Sequence, residues 1–325
     1  MRAPRRFRAR QLIPDITKPA VDLSLFGRAA CGLLLSCFAA GVAAQELQPR
    51  AYIPAPVGLN FFGVGYSNNA GGLLFDPSLP VEDSRVNANT VTLAFGQTFS
   101  VQGRTAQALA ILPYVEANLD GLALGAPQHR YLSGLGDVSF RYAMNLYGAP
   151  AMHLKEYASY RQKTIVGVSV TVTAPSGQYD PNRLINIGTN RWGFKPELGI
   201  SRAVGKWTVE GAAGVWLYTS NQQFTGSSTR TQVPLGSLQG HVVRFLPHRA
   251  WLAGDWTFFT GGRTRVDERD NANYLGGIRL GATLGISLSR RHAIKLSYFD
   301  GVLSRAGADT RSIGISYNIV WLLGR

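Results

Sequence analysis

A strict two-residue alternation runs through residues 278–289. Isoleucine, leucine and alanine occupy every second position from Ile278 to Leu288, and arginine, glycine, threonine and serine fill the positions between them. Successive side chains of a β-strand point to opposite faces, whereas a helix would mix the two sets. The pattern therefore predicts a strand with one apolar face and one small or polar face. It recurs along most of the chain, which predicts an all-β fold.

Segments with this alternation predict about twelve strands, an even number. They span residues 58–67, 88–101, 105–118, 135–147, 164–174, 192–203, 206–219, 235–246, 249–260, 276–289, 292–299 and 312–323. Short links, such as residues 102–104 and 204–205, alternate with long polar links, which are residues 68–87, 120–134, 175–191, 220–234, 261–275 and 300–311. Alternate links of an up-and-down antiparallel sheet lie at opposite ends. The short links are therefore predicted at one end, the trimmed end, and the long links at the other. Residues 148–163 are long where a short turn is expected.

Two settings suit long strands with one apolar face: a soluble barrel or sandwich with that face inward, or a membrane barrel with it outward. Strand lengths of about 10 to 14 residues and a polar opposite face favour lipid. Aromatic residues near the strand ends favour it as well, as a membrane-interface belt would. These residues are Phe61, Phe62, Tyr66, Tyr147, Trp192, Phe194, Trp207, Tyr218, Trp256, Phe258, Tyr298 and Trp321. A soluble secreted β protein remains the alternative.

A lipid environment also determines the architecture. Every backbone polar group inside a membrane must be paired, and a β-sheet achieves this only by closing into a barrel. We therefore predict a closed antiparallel up-and-down transmembrane β-barrel of about twelve strands over residues 45–325. No composition shift marks a second domain. A lumen of this size lies between the filled eight-stranded barrels and the 16-stranded aqueous porins, so it should be narrow.

The N-terminus reads as a targeting segment. Residues 29–44 form one apolar run after a basic stretch, and the run ends with Val42 and Ala44 at the two positions where signal peptidase needs small side chains. About 16 apolar residues fall short of the roughly 18 needed to span a membrane. We predict a secretory signal peptide over residues 1–44, cleaved after Ala44. The expected location of the mature protein is the bacterial outer membrane.

Removing this leader changes the charge and the cysteine content. The whole chain has a formal net charge of +14, and the leader holds seven basic and two acidic residues, so the exported part keeps +9. Cys31 and Cys37 both leave with the leader, which excludes disulfides from the mature chain. The remaining basic residues fall mainly in predicted turns and loops, among them Arg263, Arg265, Arg290, Arg291 and Arg311. Phosphorylated outer-leaflet lipid is a suitable partner for them, and no nucleic acid is expected.

Eight charged residues are predicted to point into the lumen. These pore-lining candidates are Asp137, Arg141, Lys195, Glu197, Glu210, Asp255, Arg279 and Lys295. Mixed charge in a lumen can orient a polar solute by its transverse field. It can equally form mutually satisfied ion pairs that rigidify the wall, because charges buried in a narrow barrel must be paired. Both interpretations stay open.

Enzymatic chemistry finds no support in the motifs. An outer-membrane hydrolase needs a nucleophile beside a base, and the five histidines show no HExxH and no GxSxG context. Residues 63–65 and 134–136 form Gly-x-Gly pairs without the third glycine of a nucleotide-binding loop. Histidine and aspartate clusters at metal-ligand spacing are missing. We therefore expect no enzyme, no catalytic residue, no metal and no cofactor.

Several segments, taken in order along the chain, resemble one protein family. They are Arg50-Ala-Tyr52-Ile-Pro54-Ala-Pro56-Val-Gly58, Leu74-Phe-Asp76-Pro-Ser-Leu-Pro80-Val-Glu-Asp83, Ser133-Gly-Leu-Gly-Asp137, Ala174-Pro-Ser-Gly-Gln-Tyr-Asp-Pro181, Leu184-Ile-Asn-Ile-Gly-Thr-Asn-Arg-Trp192, Phe194-Lys-Pro-Glu-Leu-Gly-Ile-Ser-Arg202 and Arg290-Arg-His-Ala-Ile-Lys-Leu-Ser-Tyr298. By their order and spacing they resemble the family named for a MetA pathway of phenol degradation, a group of bacterial outer-membrane transporter-like proteins.

The resemblance implies an outer-membrane β-barrel linked to aromatic degradation, which admits small hydrophobic or aromatic solutes. It implies contact with outer-membrane lipid, lipopolysaccharide and the barrel-insertion machinery. That machinery reads a terminal aromatic residue in such barrels, whereas here Trp321 is followed by four further residues. Passive transport without cofactor or energy input is the leading hypothesis. A structural or adhesive barrel that acts through its long loops is the alternative.

Overall fold

The computed structural model describes residues 48–74, 81–123, 125–183, 185–224, 226–304 and 307–322. The predicted signal peptide lies outside these residues and stays a prediction. The strands are β1 Leu59–Leu74, β2 Val81–Val101, β3 Arg104–Ala123, β4 Ala126–Leu135, β5 Ser139–Tyr147, β6 Thr164–Thr173, β7 Gly193–Val204, β8 Trp207–Tyr218, β9 Asn221–Phe224, β10 Ser228–Gln232, β11 Leu235–Leu246, β12 Ala250–Gly261, β13 Thr264–Val266, β14 Arg269–Asp270, β15 Leu275–Ser287, β16 His292–Ser304 and β17 Gly307–Leu322. One short helix, α1, spans Leu154–Ser159.

The large sheet closes into a barrel. Each wall strand pairs antiparallel with its neighbours, and β1 pairs with both β2 and the last strand, β17. Strands β4 and β5 both pair with β3 along the same edge, so they are two halves of one wall strand, interrupted at residues 136–138. Counted in this way the wall has twelve strands. The predicted fold class is confirmed, and each of the twelve predicted segments overlaps a wall strand.

The polarity of the wall is inverted relative to a soluble barrel. In β7 the side chains of Phe194, Leu198 and Ile200 are exposed, while Lys195 and Glu197 are buried between them. A soluble barrel would bury the apolar set and expose the charges. An apolar outer face and a charged inner face are what lipid-facing strands require.

Most aromatic residues of the predicted interface belt are exposed on this outer face. Two point inward instead: Phe61 is buried, with its ring against Gly96, and Tyr218 lies in the same inward register as the buried Trp216. The prediction is wrong for these two residues because closeness to a strand end does not determine the face. That is set by the two-residue register of the strand.

The trimmed end is built as predicted. Links of two to four residues join β2 to β3, β7 to β8, β11 to β12 and β15 to β16. Between β2 and β3, Gln102 and Gly103 both have positive φ, 50° and 73°, the geometry of a two-residue hairpin turn. The longer link at residues 148–163 carries α1. No helix in the described part of the chain is long and apolar enough to cross a membrane.

The opposite end, the loop end, differs from the prediction. The described parts of residues 68–87 and 120–134, which were predicted as long loops, continue the hairpins: pairing runs on to Gly72↔Arg85 and to Ala123↔Ala126. Backbone pairing between the strands continues through polar residues that show no apolar alternation. The alternation therefore identifies only the lipid-facing part of each strand. Residues 220–234 and 261–275 form a separate four-stranded sheet in the order β14-β13-β10-β9.

Candidate functional site

A stretch of chain ahead of the barrel occupies its interior near the trimmed end. This N-terminal segment, residues 48–58, is bound to the link between β5 and β6. Pro56 forms a parallel bridge with Met152, and Val57 N–H donates to the Met152 carbonyl at 2.9 Å. Pro49, Pro54 and Pro56 lack an N–H, so the segment brings few backbone donors that need a partner inside the barrel. A buried apolar cluster, which includes Ala55 and Tyr157, surrounds it.

Tyr52 anchors the N-terminal segment to the wall. Its hydroxyl donates to Glu197 Oε1 at 2.9 Å and lies 3.0 Å from Ser169 Oγ. The Arg141 guanidinium stands 5.4 Å from the centre of its ring. Burial raises the pKa of Tyr52 and the negative charge of Glu197 raises it further, so the hydroxyl stays protonated and remains a donor.

Arg50 forms a second anchor. Its backbone N–H donates to Glu210 Oε2, and its guanidinium lies 5.2 Å from the ring centre of Phe245 and 5.6 Å from that of Trp251. Ser201 Oγ donates to Glu210 Oε1 at 2.9 Å. The carboxylate therefore holds both the segment and the neighbouring wall strand β7.

The two anchors belong to continuous networks of polar side chains across the inner face. Lys195 Nζ lies 2.9 Å from Glu197 Oε2, and Gln239 Nε2 donates to the same oxygen at 2.9 Å. Glu197 thus binds a lysine, an amide and the Tyr52 hydroxyl at once. Satisfied networks of this kind hold buried charges in one arrangement.

A histidine beside the second anchor belongs to a group of polar side chains that spans three strands. His241 is paired in register with Glu210 on β8 and with Asp255 on β12. Its Nδ1 lies 2.7 Å from Asp255 Oδ1, and Thr283 Oγ1 donates to Asp255 Oδ2 at 2.6 Å. The Asp255 carboxylate therefore joins side chains of β11, β12 and β15.

The predicted pore-lining residues divide into two groups. Seven of them are buried at inward positions of wall strands, namely Arg141, Lys195, Glu197, Glu210, Asp255, Arg279 and Lys295. Asp137 lies instead in the break between β4 and β5. Its carboxylate accepts hydrogen bonds from the Gly177 N–H at 2.8 Å and from the Thr189 N–H at 2.9 Å. It therefore fastens the link between β6 and β7, and the part that any of the eight plays in conduction stays a prediction.

Three residues of the interior escaped the sequence analysis: Arg50, Tyr52 and His241. The first two lie ahead of the first strand, where no alternation applies. His241 could have been found, because Ser237, Gln239 and His241 occupy alternate positions of β11. Within the described part of the chain, no group of histidine, cysteine and carboxylate side chains is placed to hold a metal ion.

The comparisons with known proteins agree with this architecture. Residues 66–317 match the family described as "Putative MetA-pathway of phenol degradation". The chain belongs to this family. The resemblance that the sequence analysis predicted is confirmed. The matched residues begin in β1 and end in β17, so they span the barrel. A comparison with curated proteins finds no match.

Among solved structures, the family member is similar to the COG4313 outer membrane channel from Pseudomonas putida F1. The TM-score is 0.71 at 20% identity, over 85% of this chain and all of that one. It is also similar to the transport unit of the autotransporter AIDA-I from Escherichia coli, with a TM-score of 0.50 at 7% identity, over 92% of this chain and 98% of that one. At these identities the likeness shows a shared barrel fold.

Proposed function

We propose that the protein is an outer-membrane channel for the passive uptake of hydrophobic or aromatic compounds, linked to aromatic degradation. The observation that carries this proposal is a closed barrel with an apolar outside and a charged inside. Its interior is filled at one end by a separate segment of chain, and not by the side chains of the wall alone. Membership of a phenol-degradation family and the likeness to an outer membrane channel support it.

In the proposed transport path, the N-terminal segment is the part that blocks the lumen. The lumen is obstructed where residues 48–58 contact β6, β7 and β8, so a solute that crosses there requires this segment to shift. The segment is held by hydrogen bonds, ring contacts and a short bridge, without a covalent link to the wall. A solute would move down its gradient without energy input.

The proposed setting follows from the outer face. The exposed apolar strands support a location in the outer membrane, in contact with lipid. The exposed arginines near the loop end, among them Arg263, Arg265 and Arg311, suit the phosphate groups of lipopolysaccharide. Export through a cleaved signal peptide and insertion by the barrel-insertion machinery complete this proposal.

Uptake into proteoliposomes tests the channel. Vesicles with and without the purified mature protein are mixed with radiolabelled aromatic compounds, such as phenol, and with a sugar of similar size. We expect the protein to accelerate aromatic entry down a gradient, and a deletion strain to grow slowly on aromatic carbon sources. Vesicles that stay as tight as the protein-free control would contradict the proposal, and growth equal to that of the parent strain would do the same.

A second candidate function is adhesion through the loop end. The observation that favours it is the ordered four-stranded sheet formed by β9, β10, β13 and β14, because such a platform presents a fixed surface. Deletion of residues 220–234 would then abolish binding to a surface or cell while permeability stays unchanged. A channel function predicts the reverse: substitutions in the lumen would change the permeability, and deletion of residues 220–234 would not abolish it.

A further inference from the structure

Two arginines lie close together at the loop end, on elements that hold each other in place. Arg191 precedes β7, and Arg230 lies in β10 of the four-stranded sheet. Asn221 of β9 joins the two elements: its Nδ2 donates to Tyr179 Oη at 2.8 Å, and its Oδ1 accepts from Asn190 Nδ2 at 3.0 Å. The link between β6 and β7 is thereby docked onto the sheet, and the two guanidinium groups are held in place before any ligand arrives.

Each arginine of this pair stacks on an aromatic ring and keeps a donor without a partner. The Arg191 guanidinium lies 4.1 Å from the ring centre of Tyr218, and that of Arg230 lies 4.9 Å from the ring centre of Phe224. Arg191 Nη1 and Arg230 Nε are buried atoms without a hydrogen-bond partner. Among the described residues, neither guanidinium forms an ion pair with a carboxylate. Arg191 Nη2 donates to Gln232 Oε1, so the donors left for a ligand are Arg191 Nη1 and Arg230 Nε.

The positive charges of the pair are compensated only in part. Burial lowers the pKa of Arg191 to about 10, and the nearby positive charge of Arg230 adds to this effect. Burial also lowers the pKa of Arg230. Tyr218 and then Asp137 oppose this lowering of the Arg191 pKa, but the Asp137 oxygens are bonded to Gly177 and Thr189. Two desolvated cations side by side are costly unless an anion joins them.

The surroundings of the pair restrict the kind of anion. Tyr218 points inward, and Trp216, the preceding inward position of β8, stacks on it with ring centres 6.0 Å apart and an interplanar angle of 4°. Trp216 is buried, and its Nε1 is a further donor without a hydrogen-bond partner. One donor from each guanidinium can bind the two oxygens of a carboxylate, and aromatic side chains match an aromatic ring.

We propose that Arg191 and Arg230 form a binding site for the carboxylate of an aromatic acid at the loop end of the lumen, with Tyr218 and Trp216 against its ring. This inference deepens the proposed channel function and rests on it for its biological meaning. It assigns a substrate class, monoanionic aromatic acids, which neutral phenols do not belong to. The site would take up such an acid before it enters the polar interior.

Binding to the purified mature protein in detergent tests the site. The probes are benzoate, its neutral analogue benzyl alcohol, acetate and inorganic phosphate, measured by titration calorimetry and by tryptophan fluorescence. We expect saturable binding of benzoate, with benzyl alcohol and acetate each at least about tenfold weaker, since a hydrogen bond to a charged group is worth a factor of ten or more. Equal binding of benzoate and benzyl alcohol would overturn the proposal. Tighter binding of phosphate than of benzoate would also overturn it and would point to lipid phosphate groups.

Variants place the site on the two arginines. Arg191→Gln and Arg230→Gln should each weaken benzoate binding at least about tenfold, and Arg263→Gln, an exposed arginine at the same end, should leave it unchanged. Arg191→Lys and Arg230→Lys keep the charge and should fold, yet lose the paired hydrogen bonds and bind several times more weakly. Wild-type affinity in all four pair variants would overturn the proposal.

The same preparations separate this inference from the channel function. Phenol entry into proteoliposomes reports on the channel, while benzoate titration in detergent reports on the site. Phenol entry without benzoate binding would overturn the site and leave the channel standing. Benzoate binding by a barrel that admits no solute would establish the site and overturn the channel function.

Discussion

The ring of Tyr52 occupies the space that a side chain at Gly199 would need. A Cβ atom built on Gly199 would lie 2.1 Å from Tyr52 Cε2, and one built on Gly167 of the adjacent strand would lie 2.5 Å from Tyr52 Cδ1. Two inward glycines on β6 and β7 therefore form a groove that admits an aromatic ring. The hydroxyl then reaches Glu197 and Ser169, which lie on the same two strands.

Filling this groove should release the N-terminal segment. Gly199→Val forces the Tyr52 ring out, and overpacking of this kind costs about 1–3 kcal/mol, so the ratio of docked to undocked segment should fall by roughly fivefold or more. Single-channel recording in planar bilayers should show longer and larger open states than the wild type. Gly65→Ala is the matched control, because a Cβ at this inward glycine would lie 3.7 Å from its nearest neighbour. Unchanged conductance in Gly199→Val would show that the segment does not obstruct the path.

Removal of the hydroxyl alone should loosen the segment without filling the groove. Tyr52→Phe keeps the ring and loses the hydrogen bond to Glu197, a loss of about 1.5–3 kcal/mol for a bond to a charged group. Hydrogen exchange of the backbone amides in residues 50–58 should accelerate by about tenfold or more. Tyr66→Phe is the control, since the Tyr66 hydroxyl bonds Asn89 on the exposed outer face. The same exchange rates in both variants would count against an anchoring role for the hydroxyl.

Asp255 should contribute more to stability than a surface aspartate does. Asp255→Ala leaves both His241 and Thr283 without their acceptor inside the barrel, which should lower the free energy of unfolding by about 3–5 kcal/mol. Asp300→Ala removes an exposed carboxylate that lies 3.7 Å from Arg311, and should cost less than about 1 kcal/mol. Urea unfolding followed by tryptophan fluorescence measures both. Equal losses would mean that the buried carboxylate is not structurally required.

The alternation of side chains was sufficient to predict the strands of the barrel wall, but not the chain segment that lies inside the barrel. It identified all twelve wall strands and placed Lys195, Glu197, Glu210 and Asp255 on the inner face, because the face of a side chain follows directly from its register. It gives no position for Asp137 on a wall strand, since the break at residues 136–138 interrupts the register that the alternation assumes.

The N-terminal segment could not be predicted for a different reason. Tyr52 meets Ser169 and Glu197, which lie 117 and 145 residues further along the chain. Such contacts depend on the closed barrel, and no local pattern encodes them. The hairpin extensions at the loop end were missed because backbone pairing continues through polar residues that give no alternation.

The charges buried on the inner face should make the lumen prefer anions. Among the described residues, the buried cations are Arg50, Arg141, Lys195, Arg279 and Lys295, and the buried carboxylates are Glu197, Glu210 and Asp255. An excess of positive charge in a low-dielectric passage raises the local concentration of anions.

Reversal potentials in a potassium chloride gradient measure this preference, at low ionic strength where screening is weak. We expect chloride to be more permeant than potassium, and Arg141→Gln to lower the permeability ratio. Arg244→Gln is the matched control, because Arg244 lies on the outer face against the ring of Trp207, at 4.5 Å from its centre. Cation selectivity in the wild type would contradict the prediction. An equal change in the Arg244 variant would show that the preference arises outside the lumen.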